Sequence, residues 1–242
     1  MEEGVAIVTS RKGSPKIITA ESNKRTLSLH DVLRLGGAKL SCGKSEHLFI
    51  SLSNGVGLGL GANTELTIKS YTQRPFNETK ESVEHEPSIS QLTIILESGT
   101  IAFAAERLSP ISKFTIQSPT GETRIHTAKG IIRYDSTGVN IAAVSGQLTY
   151  YYPNMDQRQF IGAPQTIRIS KHSAALGKAA ESSNSISSLS DTETLFVKAA
   201  EHAGQRVLYK VPPGTTAIPQ PVLIAIPEKL KQASPRPYTF FD

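Results

Sequence analysis

The sequence predicts an all-β chain, either a β-solenoid-like roll or a two-sheet β-sandwich, with a small α/β appendage at its C-terminus. Three observations predict it. Apolar residues alternate with polar ones at period two from residue 4 to about residue 170, the pattern of strands with one buried face. Glycine-containing turns punctuate that stretch at short intervals. After it, alternation gives way to serine and then to proline.

The elements follow in order. Residues 1–10 are acidic and then strand-like. Leu48, Ile50 and Leu52 alternate with Phe49 and Ser51, and Leu66 and Ile68 with Thr67 and Lys69. Leu92, Ile94 and Leu96 share one parity, and Ile101 and Phe103 mark another short strand. Phe114/Ile116, Thr123/Ile125, Val139/Ile141/Ala143 and Ile167/Ile169 continue the series. Ser53-Asn54-Gly55, Ser98-Gly99, Thr120-Gly121, Thr137-Gly138 and Ser145-Gly146 read as turns, because Gly and Asn take positive φ at little cost. Many short strands so spaced mean a sandwich, a barrel or a stacked solenoid. No repeat of fixed length emerges, which does not support a perfect solenoid.

Two interruptions divide the chain. Residues 72–90 form a charged excursion between strands, with a helical turn expected at 78–85. Residues 171–190, ending in a Ser-rich stretch, read as a flexible linker. The expected domains are therefore residues 1–170, that linker, and 191–242. In the last, Asp191 or Thr192 is expected to cap an amphipathic helix with Leu195, Ala199 and His202 near one face and Gly204 ending it. Gln205–Val211 reads as a strand, followed by a Pro-rich tail whose run Val222–Ile226 is expected to dock as a strand.

Composition narrows the function. Hydrophobic residues make up 38% of the 242, enough for a thin aliphatic core. There is no Trp, and the 8 Phe and 7 Tyr make large aromatic platforms unexpected. The net charge of +5 is spread along the chain, densest at Lys24-Arg25 and at Arg124/His126/Lys129/Arg133. A nucleic-acid reader concentrates its charge on one face, so no nucleic-acid partner is expected. The single Cys42 reads as a small buried structural residue. No apolar run approaches the about 18 residues of a membrane span, and no signal peptide is visible. If the protein is exported, the expectation is that its targeting segment has been removed and that Met1 is an expression start.

Chemistry-bearing motifs are sparse. Gly57-Leu-Gly-Leu-Gly-Ala62 formally matches a dinucleotide-binding variant, but that motif needs a following helix, and Asn63–Ser70 reads as a strand. The better reading is a strand with glycines on one face and Val56, Leu58 and Leu60 on the other. Such a face lets a backbone or a large side chain approach closely. None of the six histidines pairs at metal-ligand spacing, and Glu84-His85-Glu86 reads as a solvated loop. There is no nucleophile elbow or phosphate-binding loop, and carboxylates such as Asp156 and Glu97 cannot be paired from sequence. Asn77-Glu-Thr79 is a formal sequon without expected meaning in a bacterial protein. No catalytic residue, cofactor site or metal site is expected.

The order of motifs resembles the FecR domain family over roughly residues 4–170. Its first half is carried by Ala38-Lys-Leu-Ser-Cys-Gly43, Leu48–Leu52, Ser53-Asn-Gly55 and Gly61-Ala-Asn-Thr-Glu-Leu-Thr-Ile68. Then follow Gln73–Phe76, Glu86–Ser90 and Leu92–Gly99. Lys113-Phe-Thr-Ile-Gln-Ser-Pro-Thr-Gly121 looks like the family's "F-x-V-x-T-P-x-G" strand and turn, and Val144–Thr149 like its closing strand. One departure is clear: the family's Gly-Thr box is replaced by Thr127-Ala128. Residues 192–211 also resemble half of a secretin/TonB short N-terminal module. The resemblance implies a periplasmic or cell-surface location. It further implies membership among proteins that relay a receptor signal to a sigma factor, or among exported proteins without an assigned role. The chain shows neither the N-terminal anti-sigma helices nor a membrane span.

The expected function is a non-enzymatic protein-interaction, scaffold or signal-relay module of the bacterial envelope, whose exposed strand edges accept another envelope protein. The alternative is a surface glycan- or ligand-binding module. Tyr150, Tyr151, Tyr152 and Phe76 are the candidate partner-binding residues. The tyrosine run also reads as a strand edge with alternate rings buried.

Overall fold

The computed structural model describes residues 1–77, 86, 88–153, 157–176, 181–183, 189–205, 207–211, 214–217 and 220–223. The expected helical turn at 78–85 and the tail beyond residue 223 lie outside them, as do Asp156, Glu84 and His85.

The chain is all-β, as its periodicity predicts. With strands numbered in chain order, sheet A runs β4 (Lys24–Thr26), β3 (Lys16–Ile18), β6 (Lys39–Cys42), β9 (Thr64–Gln73), β11 (Ser90–Ala104), β12 (Lys113–Ser118), β13 (Gly121–Ile125), β16 (Gln147–Tyr151), β17 (Arg158–Gly162). The short β1 (Glu2–Glu3) joins β9 beside β6. Sheet B runs β5 (Val32–Arg34), β2 (Val5–Lys12), β7 (His47–Leu52), β8 (Gly57–Leu60), β11, β14 (Lys129–Tyr134), β15 (Gly138–Ser145), β18 (Thr166–Ser170), β19 (Glu181–Ser183). The inner faces of both sheets form one core cluster, with Leu40, Leu66, Ile94, Phe114 and Leu148 from sheet A against Ile50, Leu58, Phe103, Ile141 and Ile167 from sheet B. Of the two expected architectures this is the sandwich. Its chain path keeps something of the roll, since hairpins β12–β13, β14–β15 and β16–β17 are laid in alternate sheets.

Strand β11 belongs to both sheets and makes the ladders continuous. Sequence reading expects two strands here with a turn at Ser98-Gly99. The structure has one strand of 15 residues that bends. Register shifts at Thr93/Ile94 and Leu96/Ser98 precede Gly99, whose φ of +91° is open to glycine but strained for other residues. The bend carries the strand from sheet A to sheet B, so the glycine redirects a strand where a turn was expected.

At one end of the sandwich the core is polar. Ser53 Oγ accepts from Val5 N at 3.1 Å, donates to Gln73 Oε1 at 2.7 Å and lies 2.7 Å from Tyr71 Oη. Gln73 Nε2 donates to Glu86 Oε1 at 3.3 Å, while Ser112 Oγ and Ser109 N donate to Glu86 Oε2 at 2.6 and 3.2 Å. Buried polar groups persist when they are bonded in this way. Glu86 N also donates to Arg107 O at 2.7 Å, which anchors the chain on its return from the excursion.

The C-terminal region is packed on the β domain. Helix α1 (Lys171–Ala175) and strand β19 lie within the stretch expected to be a linker, and β19 pairs with β18. Helix α2 (Asp191–Gln205) begins with a capping box: Glu193 N donates to Ser190 Oγ at 3.2 Å, and Ser190 N to Glu193 Oε2 at 3.0 Å. The cap is thus Ser190, ahead of the expected Asp191 or Thr192. Its buried side chains are Val197, Ala200 and Ala203, with Phe196 half-buried, whereas Leu195 is 63% exposed. The expected face through Leu195 is therefore off by one position. Gly204, expected to end the helix, lies inside it and buried. Strands β20 (Val207–Lys210) and β22 (Gln220–Leu223) pair antiparallel, and β10 (Phe76–Asn77) pairs with β21 (Thr216–Ala217).

Candidate interaction surface

The glycine stripe of β8 has an occupant. Gly57 and Gly59 face outward from sheet B, and Leu58 and Leu60 face the core. A Cβ on Gly57 would lie 1.9 Å from Ala200 O of α2. A Cβ on Gly59 would meet Phe49 at 2.7 Å and Phe196 at 3.2 Å. The helix lies on this strip with Val197 and Ala200 against Ala102, Ile131 and Ala142. The Phe49 and Phe196 rings are 5.1 Å apart at 58°. Ion pairs hold it at both ends: Arg133 with Glu193 at 2.5 Å and Lys129 with Glu201 at 3.2 Å. The Gly-x-Gly pattern receives a helix from another part of the chain, and β8 runs on into strand β9 without the helix that a nucleotide loop requires.

The four candidate contact residues are not brought together. Tyr150 and Tyr152 turn inward at 0% and 2% exposure, with rings 5.1 Å apart at 85°. The Tyr150 hydroxyl donates to Thr120 O, and burial pushes its pKa up to about 12. Phe76 sits half-buried on the separate β10–β21 pairing. Tyr151 alone faces outward from the run, which follows from the alternation of β16.

Around Tyr151 the outer face of sheet A carries a surface that sequence reading did not assemble. Glu122, Tyr151 and Arg158 form one cross-strand row, and Arg124, Thr149 and Phe160 the next. The Arg124 guanidinium lies over the Tyr151 ring at 4.2 Å, and its Nε donates to Glu122 Oε1 at 2.8 Å. His126 Nε2 is 3.1 Å from Thr149 Oγ1. The Arg158 guanidinium stands 5.2 Å from the centre of the Phe160 ring, and Phe160 is 66% exposed. The legible signal was Arg158-Gln-Phe-Ile-Gly162, where an aromatic occupies the parity opposite to the core residue Ile161.

The charged cluster Arg124/His126/Lys129/Arg133 is divided by the fold. Arg124 and His126 face out from sheet A, while Lys129 and Arg133 bind α2 on the other sheet. Cys42 is buried, and burial with the nearby Glu46 charge pushes its thiol up to about 12. Among the described residues no helix is long and apolar enough to cross a membrane, and no group of three or more His, Cys, Asp or Glu side chains is arranged to hold a metal.

No family model matches this chain, and no curated protein matches it. Two crystal structures described as a "putative anti-sigma factor" from Parabacteroides distasonis align with it at 13% and 12% identity, each with a TM-score of 0.44. Each alignment covers 61% of this chain and 59% of the other, so less than two thirds of that protein is represented.

Proposed function

We propose that this chain is a non-enzymatic, FecR-like module of the bacterial envelope, located in the periplasm or at the cell surface, that binds another envelope protein as a scaffold or signal relay. The observation that carries this is the sandwich with strand edges unpaired among the described residues. An aromatic and arginine surface flanks one of these edges, β17. The ordered strand-and-turn series that resembles the FecR domain supports the compartment and the family. Cys42 and Tyr150 are enclosed in the core, and Glu86 is bonded into a structural network, which supports a binding role over catalysis.

Capture from bacterial envelope extracts tests this reading. Specific recovery of a membrane regulator or secretion component is expected. The exposed Phe160 ring and the half-buried, outward-facing Tyr151 ring favour a second reading, a glycan-binding surface. Glycan-array binding that is lost in Tyr151→Ala, with no protein recovered, would replace the first reading by the second.

A further inference from the structure

We infer that β17 is the docking edge for an extended acidic segment of a partner protein, which adds to sheet A as its next strand. This rests on the interaction reading above and assigns it a place and a ligand chemistry.

The main chain makes the first argument. Tyr152 N donates to Gln157 O at 3.1 Å, and Ala163 N donates to Gly146 O at 3.0 Å. These two bonds flank the β16–β17 ladder and fix its phase. In an antiparallel pair, hydrogen-bonded and non-bonded positions alternate. Odd-numbered residues of β17 therefore aim their N–H and C=O at β16. Arg158, Phe160 and Gly162 aim theirs away from the sheet, where no ladder among the described residues receives them. An added strand would find a regular row of donors and acceptors at alternate residues.

The edges differ in how well they are protected. Strands β4 and β5 have 3 residues each, as has β19 among the described residues, and β4 reads Lys-Arg-Thr, the charged composition that deters pairing. Strand β17 has 5 residues, pairs with β16 without a register shift and presents the exposed Phe160 beside the open main chain. A Cβ on Gly162 would meet nothing within 4 Å, so a partner backbone has room at that end. This edge has the length, regularity and apolar contact that strand addition uses.

Charge selects the occupant. Strands β12, β13, β16 and β17 carry Lys113, Arg124 and Arg158 against the single carboxylate Glu122, which Arg124 already engages. All three cations project on the outer face, with Arg158 on the edge strand itself, Arg124 two strands in and Lys113 three strands in. A strand with carboxylates at alternate positions would set one beside Arg158 and lay the methylene of the next against the Phe160 ring. A basic strand would meet the like charge of Arg158.

The experiment uses the full chain and a peptide of about six residues alternating valine and aspartate, with a valine–lysine counterpart. Fluorescence anisotropy should show saturable binding of the acidic peptide that weakens with salt and competes poorly with the basic one. Methylating alternate backbone nitrogens of the peptide should abolish binding without changing its charge. Arg158→Glu and Phe160→Ala, both at exposed positions, should each weaken binding about tenfold while thermal unfolding is unchanged. Equal binding of the N-methylated peptide would overturn strand addition, and equal binding of the basic peptide would overturn the acidic assignment. A dimer of the chain alone that dissociates in Phe160→Ala would give the edge to a second copy and overturn the proposal. Recovery of the same envelope protein by wild type and both variants would overturn this placement yet leave the interaction reading standing.

Discussion

The carbonyl oxygen of Ala200 occupies the space in which a side chain of Gly57 would begin, 1.9 Å from the ideal Cβ position. This one relation joins two parts of the chain that the sequence presents as separate, a glycine-rich strand and a helix beyond a Ser-rich stretch. It also explains the glycine spacing. A helix that lies flat on a sheet brings its own backbone close to the strand beneath, and only a residue without Cβ allows that approach.

Gly57→Ala should therefore loosen α2 by about 1–3 kcal/mol, the usual cost of overpacking. Gly59→Ala should cost less, because the Cβ there would meet the rings of Phe49 and Phe196, which can shift, where Gly57 meets main chain. Amide hydrogen exchange checks this. Faster exchange is expected across residues 194–205 in Gly57→Ala, with β9 and the first half of β11 unchanged. Equal protection of α2 in both variants would contradict the packing.

The buried face of α2 separates two adjacent residues. Phe196 stacks on Phe49 and lines the small cluster under the helix, whereas Leu195 points to solvent. Phe196→Ala should cost about 2 kcal/mol, less than for a fully buried ring. Leu195→Ala should stay within about 0.5 kcal/mol. Denaturant midpoints at constant slope measure both, and a larger loss for Leu195→Ala would restore the face expected from sequence.

Cys42 should be silent toward thiol-specific disulfide reagents in the folded protein at mildly alkaline pH. Its sulfur is buried against Leu60 O at 3.9 Å, and burial holds the thiol far above the pH at which thiolate forms. Labelling should follow the unfolding curve, with full reaction only in denaturant. Rapid labelling of the native chain would mark the cysteine as accessible and reopen the question of a nucleophile.

Some of this was legible in the sequence and some was not, for physical reasons. Alternation identifies β7, β9 and β12 because each buries one face against a common core, and the glycine face of β8 was readable from the same parity. The switch of β11 between sheets was not, since Ser98-Gly99 has the composition of a turn and only the long-range pairings with β9 and β14 show that the strand continues. The helix phase failed by one residue because Leu195 and Phe196 are both apolar and only the position of the glycine strip decides between them. Tyr150, Tyr151 and Tyr152 form a run in the sequence, yet the surface residue Phe160 lies on the next strand, a neighbour that cross-strand register alone reveals.

Glu86 should give the fold an acid-side pH dependence opposite to that of the other perturbed carboxylates. Burial holds its carboxyl above the usual glutamate range, although Ser112, Ser90, Ser109 and Gln73 hydrogen-bond to it. The folded state thus keeps a proton at a pH where the unfolded chain has released it. Stability from this group is complete below the ordinary glutamate pKa, about 4.3, and falls as pH rises through the raised value. Asp135, bonded by Thr137, and Glu46, bonded by the amides of Gly43 and Ser14, are held low and act the other way, losing stability as pH falls. The total curve mixes these effects, so the informative quantity is the difference between wild type and Glu86→Gln. Glutamine adds a constant offset from the changed hydrogen bonds but cannot titrate. From about pH 4 to about pH 7 the denaturation midpoint of wild type should fall relative to that of Glu86→Gln. A flat difference would show that Glu86 titrates alike in the folded and unfolded chains. A difference of opposite sign would show that its hydrogen-bond donors outweigh its burial.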